Sequence, residues 1–434
     1  MNRRTMLAAL LAAAVLPLAS CGGEDEATTP TPGSRAGDIE VLQSSLPRIA
    51  ARPADAAEAS DALNQFAFDL YRQIGSGSEN TVFSPYSIAI ALAMTRNGAA
   101  GQTLDEMTAV LHALNRYDES LNALDQALLS RAGDYQVGDQ TVTLELSTAN
   151  QLWGQREFPF EATFLDVIAA NFGAGLRIVD FLRETEASRQ LINGWVSSQT
   201  RERIPQLIPE GVITPDTRLV LTNAIYLNAP WMFPFDENGT APADFRLLDG
   251  STVQADLMHL NSRLPYAAGD GYRAIELPYA DGSLAMLVVI PDEGSFEAVR
   301  ASLDATALSA LAGDLSAAQV NLRFPRWEFR TQASLKDALS ALGMPTAFAG
   351  GEADFTRMSP RGKDLYISAV VHEAFISVDE EGTEAAAATA VIISETSMPQ
   401  IVEVTVDRPF LFYLRDRETG ALLFMGHVTN PATE

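Results

Sequence analysis

A chain of 434 residues with a formal charge of −26 is long enough to bury a large core, and its field disfavours nucleic acid and heparin-type polyanions as partners. It has one cysteine, which excludes an internal disulfide, so packing must hold the fold even in an oxidising compartment. No Pro/Gly/Ser-rich linker follows the first fifty or so residues and no long-period repeat is visible, which favours one large mixed α/β unit.

The chain opens with Asn2-Arg3-Arg4, an apolar run from Met6 to Leu18, and the small pair Ala19-Ser20. The run is too short for a transmembrane helix and reads as a secretory signal over residues 1–20. Leu18-Ala19-Ser20-Cys21 resembles the bacterial lipobox, in which the cysteine thiolate takes a lipid and becomes the new N-terminus. Residues 21–52 are rich in Thr, Pro, Gly, Ser, Ala and acidic side chains and read as a flexible tether. The expectation is export, with the protein lipid-anchored to the cell envelope, or periplasmic or extracellular if Cys21 is not lipidated. Residues 53–434 then form the folded domain.

Along that domain the spacing predicts a helix over Ala56–Ile74, with Leu63, Phe66, Leu70 and Ile74 near one face. A buried, Ala-dense helix follows over Tyr86–Arg96, then an amphipathic helix over Thr103–Leu114 that carries no Lys or Arg. Thr141–Leu152 alternates as a strand. Phe160–Asn171 and Glu184–Arg201 read as helices. Arg218–Leu227 is continuously apolar and predicts a strand buried on both faces. Tyr272–Leu277 and Leu284–Ile290 read as strands joined by the turn Ala280-Asp281-Gly282-Ser283. Val320–Phe329 is β-like, Ser334–Leu342 helical, and Leu365–Val378 a strand. Ile401–Val406, Phe410–Arg415 and Ala421–Val428 are terminal strands. The order lacks a regular βαβ alternation, which argues for α+β and against Rossmann or TIM architectures.

No enzyme emerges from the motifs. There are four histidines; His372-Glu373 begins like a zinc-protease helix, but Ile376 stands where the second histidine should be. No nucleophile elbow, P-loop or zinc-type cysteine pair is present. Neither a metal nor a cofactor is expected. His372 lies in an apolar run, where a hydrogen-bonded core histidine is the plain reading.

The segment from Glu380 to Ile393 carries two contradictory signals. Its Ala-rich front, with Thr383 as N-cap, is a good helix former. At period two, Thr383, Ala385, Ala387, Thr389, Val391 and Ile393 share one small or apolar face of a strand. A segment that can be a loop outside or a strand inside is a candidate switch element.

This pattern resembles the hinge and reactive loop of the serpins, the serine protease inhibitor family. Other blocks resemble that family in order from about Asp55 to Pro431: Phe83-Ser84-Pro85-Tyr86-Ser87-Ile88; Ala149-Asn150-Gln151-Leu152-Trp153; Ile192-Asn193-Gly194-Trp195-Val196; Thr222-Asn223-Ala224-Ile225-Tyr226-Leu227 with Trp231 and Pro234-Phe235; Leu342-Gly343-Met344; and Arg408-Pro409-Phe410 with Leu423 to Pro431. The resemblance implies an α+β fold with a large central mixed sheet, surrounding helices, further sheets and an exposed reactive loop. It implies a hinge at Glu381, Gly382, Thr383, Glu384, Ala385, Ala386, Ala387 and Ala388. It places Ser84, Ser87, Asn223 and His372 in a polar shutter beneath the sheet, and Trp231 at the breach where insertion starts. A plain core aromatic is the other reading of Trp231.

It also implies a monomeric suicide-substrate inhibitor of serine, and in some members cysteine, endopeptidases. The cut loop enters the sheet and traps the protease as an acyl-enzyme, a strain release for which the family is known. Counting from Gly382 puts the scissile bond at Thr396-Ser397; counting back from Pro409 would put it at Met398, and Glu395 is a third position. Thr396 suits an elastase-like or subtilisin-like target. The alternative is a non-inhibitory serpin that binds or chaperones other proteins. Some serpins bind heparin through a basic helix, and the acidic Thr103–Leu114 segment does not support that mode.

Overall fold

A computed structural model describes residues 39–383 and 401–433. Cys21, the proposed signal, hinge residues 384–388 and the bond Thr396-Ser397, with Glu395 and Met398, lie outside the described residues.

Helix Ala56–Ile74 forms over the span its periodicity predicts and buries Leu63, Phe66 and Leu70. Beside it lies Pro85–Arg96, buried from Pro85 to Thr95. Ser84 caps this helix by accepting the Ser87 N–H, and Pro85 fixes its first turn. Two mixed sheets enclose this core. In the first, the order is Glu40–Leu42, Leu176–Val179, Gln151–Gln155, Leu219–Pro230, Gly382–Thr383, Ala369–Val378 and Trp327–Ser334, with Gln140–Thr148 also paired to Leu219–Pro230. In the second, Ile401–Thr405, Ser316–Pro325, Thr252–Gly269, Tyr272–Pro278, Leu284–Pro291, Phe410–Asp416, Leu422–Val428 and Thr81–Phe83 follow one another. Leu219–Pro230 is buried along nearly its whole length, because strands flank both edges and packed elements cover both faces.

Several boundaries differ from the sequence reading. Thr141–Leu152 is two strands, Gln140–Thr148 and Gln151–Gln155, broken where Asn150 turns its amide toward Ser87 and Asn223. Val320–Phe329 is also two strands. Pro325 ends the first and Trp327 starts the second, so Pro325-Arg326 carries the chain from one sheet to the other. Proline cannot donate to a ladder and fits such a handover.

The folded body begins at Ile39, ahead of the predicted residue 53. Glu40–Leu42 pairs antiparallel with Leu176–Ile178, and the Ile49 N–H donates to Ala170 O (2.8 Å). Arg48 bonds Asn122 (2.8 Å) and pairs with Asp125, which also accepts from the Tyr86 hydroxyl. Composition signals a tether here because the segment is docked mainly by backbone and ion-pair contacts, with only Ile39, Leu42 and Ala51 packed against the hydrophobic core.

Candidate functional site

The centre of the first sheet is a fork. Leu219–Pro230 and Ala369–Val378 run parallel and are paired from Ala369–Val220 up to Ala374–Ile225, where their ladder ends. Higher up, Gly382–Thr383 lies between them as a short strand. Gly382 pairs with Pro230, and Thr383 with Ala229 on one side and Val378 on the other, both antiparallel. Residues 226–228 and 375–377 separate the closed ladder from these upper pairs.

A tight turn delivers Gly382 to that place. The Asp379 N–H donates to Gly382 O (3.0 Å), and Asp379 Oδ1 accepts the N–H groups of Glu381 (2.9 Å) and Gly382 (3.1 Å). Burial pushes the Asp379 carboxyl pKa up, against the lowering effect of those two amides. Glu380 is buried beside it. Its Oε1 accepts from the Thr240 hydroxyl (2.6 Å) and its Oε2 from Arg326 Nη2 (2.5 Å). Burial alone would raise the Glu380 pKa; the Thr240 and Arg326 bonds outweigh it and hold the carboxyl below its usual range.

Trp231 is tied into the same turn. Its backbone N–H donates to Glu381 O (2.8 Å) and its indole N–H to Asp379 O (3.0 Å). Its ring stacks on Tyr279, with centroids 4.6 Å apart and planes 7° from parallel. The Tyr279 hydroxyl shares a 2.7 Å hydrogen bond with the hydroxyl of Thr383, which is only 3% exposed. Trp231 is therefore a core aromatic that also holds the turn at residues 379–382.

Below the fork the predicted shutter residues come together. The Ser84 N–H donates to His372 Nε2 (3.1 Å), so the ring proton sits on Nδ1 and is donated to Asn223 Oδ1 (2.5 Å). Asn223 Nδ2 donates to Asn150 Oδ1 (2.9 Å), which also accepts from the Ser87 hydroxyl (2.5 Å). His372 is fully buried, and burial lowers its pKa to about 3, so the ring is neutral.

Helix Thr185–Gln199 packs over the outer face of this sheet, on Trp153, Val220, Ala224, Ala369 and Val371. The chain after it is laced down by Gln332 Nε2, which donates to Leu207 O (3.0 Å) and Glu373 Oε2 (3.0 Å). Asn193 fixes the same stretch through Ile208, donating to its carbonyl and accepting its N–H.

Sequence reasoning missed Asn150, Tyr279, Thr240 and Arg326 as parts of the site. Asn150 stands inside a recognised block, at the break between Gln140–Thr148 and Gln151–Gln155, and nothing next to it in the sequence names Ser87 and Asn223 as its partners. The other three act through partners over a hundred, or some fifty, residues away. Among the described residues, no group of His, Cys, Asp and Glu could hold a metal ion.

The family model described as Serpin (serine protease inhibitor) matches residues 61–431. An uncharacterized serpin-like protein of Thermococcus kodakarensis is 34% identical over 435 residues, covering 99% of each chain. The leukocyte elastase inhibitor of Xenopus tropicalis is 34% identical over 390 residues, covering 86% of this chain and 99% of its own. The native-state crystal structure of tengpin, a thermophilic serpin, superposes with a TM-score of 0.79 at 27% identity, covering 90% of this chain and 99% of its own. With a family model over residues 61–431 and a relative 34% identical along 99% of both chains, the chain belongs to the serpins, the serine protease inhibitor family.

Proposed function

We propose that this protein is a suicide-substrate inhibitor of serine endopeptidases. The observation that carries the reading is the placement of Gly382–Thr383 inside the first sheet, antiparallel to Leu219–Pro230, at the start of the path a cut loop would follow. In this reading a protease attacks the Thr396 carbonyl and forms an acyl-enzyme. The freed stump then extends the short strand downward. At about 3.3 Å per residue over about fifteen residues, the attached protease travels roughly 50 Å. Distortion of its catalytic site at the far end keeps the ester from being hydrolysed.

The registers of Gly382 and Thr383 suggest what such a strand would meet. Continued residue by residue, they set Ala385 between Leu227 and Ile376, Ala387 between Ile225 and Ala374, and Thr389 between Asn223 and His372. Insertion parts Asn223 from His372 and breaks their hydrogen bond. Thr389 brings one donor and an acceptor to that point. Its hydroxyl would accept from His372 Nδ1–H and donate to Asn223 Oδ1, so no buried polar group is left unpaired.

In the same reading, Thr396 favours an elastase-like or subtilisin-like target, the chain acts as a monomer, and a lipid on Cys21 holds it at the cell envelope. Thr383→Arg tests the whole scheme. A guanidinium cannot replace a buried hydroxyl facing Tyr279, so this variant should be cleaved as a substrate while the yield of detergent-stable complex with an elastase-like or subtilisin-like protease falls at least about tenfold. An unchanged yield would rule out insertion through this hinge. The mass of the released C-terminal peptide in the same experiment locates the cut.

A further inference from the structure

Asn-Gly occurs three times in the chain, at Asn97-Gly98, Asn193-Gly194 and Asn238-Gly239. The pair is chemically labile. The backbone nitrogen of the second residue can attack the asparagine amide, and glycine puts no side chain in the way. Whether the reaction runs depends on how firmly the fold holds the two groups.

Two of the three pairs are locked. Asn97 ends helix Pro85–Arg96 with a helical backbone; its Nδ2 donates to Ala93 O (2.9 Å) and the Gly98 N–H to Thr95 O (2.9 Å). Asn193 lies within helix Thr185–Gln199 and is 5% exposed. Its Nδ2 donates to Ile208 O (3.0 Å) and its Oδ1 accepts the Ile208 N–H (2.8 Å).

Asn238 is held differently. It is exposed, and its side-chain amide has no hydrogen-bond partner among the described residues. It sits where strand Asp236–Arg246 falls out of step with Thr252–Gly269. The pairing jumps from Asp236–His259 to Ala241–Leu257, so residues 237–240 stand opposite Met258 alone and bulge from the ladder. At one end of the bulge the Asn238 N–H donates to Asp236 Oδ1 (3.0 Å). At the other, the Thr240 hydroxyl holds Glu380 (2.6 Å).

We propose that Asn238 is a site of spontaneous deamidation and that its product releases Glu380 from Thr240. The Gly239 nitrogen attacks Asn238 Cγ. The new N–C bond forms, the Cγ–Nδ2 bond breaks, and the Gly239 proton leaves with the amide group as ammonia. Water then opens the cyclic imide on either side, giving aspartate or isoaspartate. Both products add a carboxylate beside Glu237. Isoaspartate also routes the main chain through the side-chain carbon, which inserts a methylene two residues before Thr240. The Thr240 hydroxyl is then displaced from Glu380. Neither step depends on the inhibitory reading, and the test involves no protease.

The test is ageing of the full chain in mildly alkaline ¹⁸O water, then digestion in ordinary water and mass spectrometry. The peptide holding Asn238 should gain the mass of the acid with one heavy oxygen, and an isoaspartyl methyltransferase should accept it. Conversion should run at least about tenfold faster at Asn238 than at Asn97 or Asn193, which react only when their helices open locally. Hydrogen exchange at the Glu381 and Gly382 amides should quicken as conversion proceeds. Asn238→Gln closes the ring far more slowly and should hold that exchange constant through the same ageing. It is a better control than Gly239→Ala, whose Cβ would meet His259 Cβ at 3.0 Å. Equal native rates at the three asparagines overturn the site. Conversion that leaves exchange at Glu381 and Gly382 unchanged overturns its effect on Glu380.

Discussion

At His372 a single buried ring makes the fold sensitive to acid. Folded, it stays neutral down to about pH 3, whereas its ordinary value is 6.5. Between those values the unfolded chain binds a proton that the folded one refuses. Stability is therefore fully present above pH 6.5 and falls as the pH drops toward 3, by about 1.4 kcal/mol per pH unit for this one group. His427, whose pKa burial lowers to about 4, adds to the same slope. The apparent unfolding midpoint should thus fall steadily on acidification below pH 6.5, and His372→Gln should flatten that dependence whatever it does to the midpoint at neutral pH. Parallel curves for the two proteins would show that the ring titrates normally in the fold.

At the scale of elements, the decisive property is register. Thr389→Val keeps the shape of the side chain and removes the hydroxyl, so in the inserted form His372 Nδ1–H and Asn223 Oδ1 would both lose their partner, at about 1–3 kcal/mol each. The cleaved variant should melt below the cleaved wild type while the two intact proteins melt together. Equal melting of the cleaved forms would mean that the strand enters in another register.

How legible these elements were in the sequence depends on the range of their contacts. Ala56–Ile74 was readable to the residue because its stripe of Leu63, Phe66 and Leu70 is a local pattern. That Ser84, Asn223 and His372 meet was implied by the resemblance of their blocks to the serpins, and His372 alone also stood out as a polar residue in an apolar run. The break at Pro325 was available in the sequence, but an apolar β-like run on both sides hid it. Arg326 and Thr240 gave no signal, since nothing near them names Glu380 as their partner. Ile39–Arg52 was misread as tether because its hold on the body comes from an edge pairing and from Arg48 on Asp125, features that composition does not record.

For the molecule as a whole, the proposed insertion adds a strand to the centre of the first sheet, so in that reading the intact fold leaves part of its pairing unused. Without a disulfide to lock it, such a state would persist through the height of its barrier rather than its depth. Cutting the loop should let the strand complete the sheet and raise the midpoint of thermal unfolding well above that of the intact chain. If calorimetry found the nicked protein melting no higher, the intact fold would already be at its minimum.

In the proposed mechanism, the seat already taken by Gly382 and Thr383 also sets a clock. Every encounter with a protease is then a race between water reaching the ester and the stump zipping home, and the slow first stitch of that zipper is in place before the starting gun. An inhibitor with such a head start should stop even fast-turnover enzymes with little wastage. Titrating a protease against the intact protein would read this as an end point close to one molecule consumed per enzyme silenced, and a large excess would mean that the early stitch confers no lead.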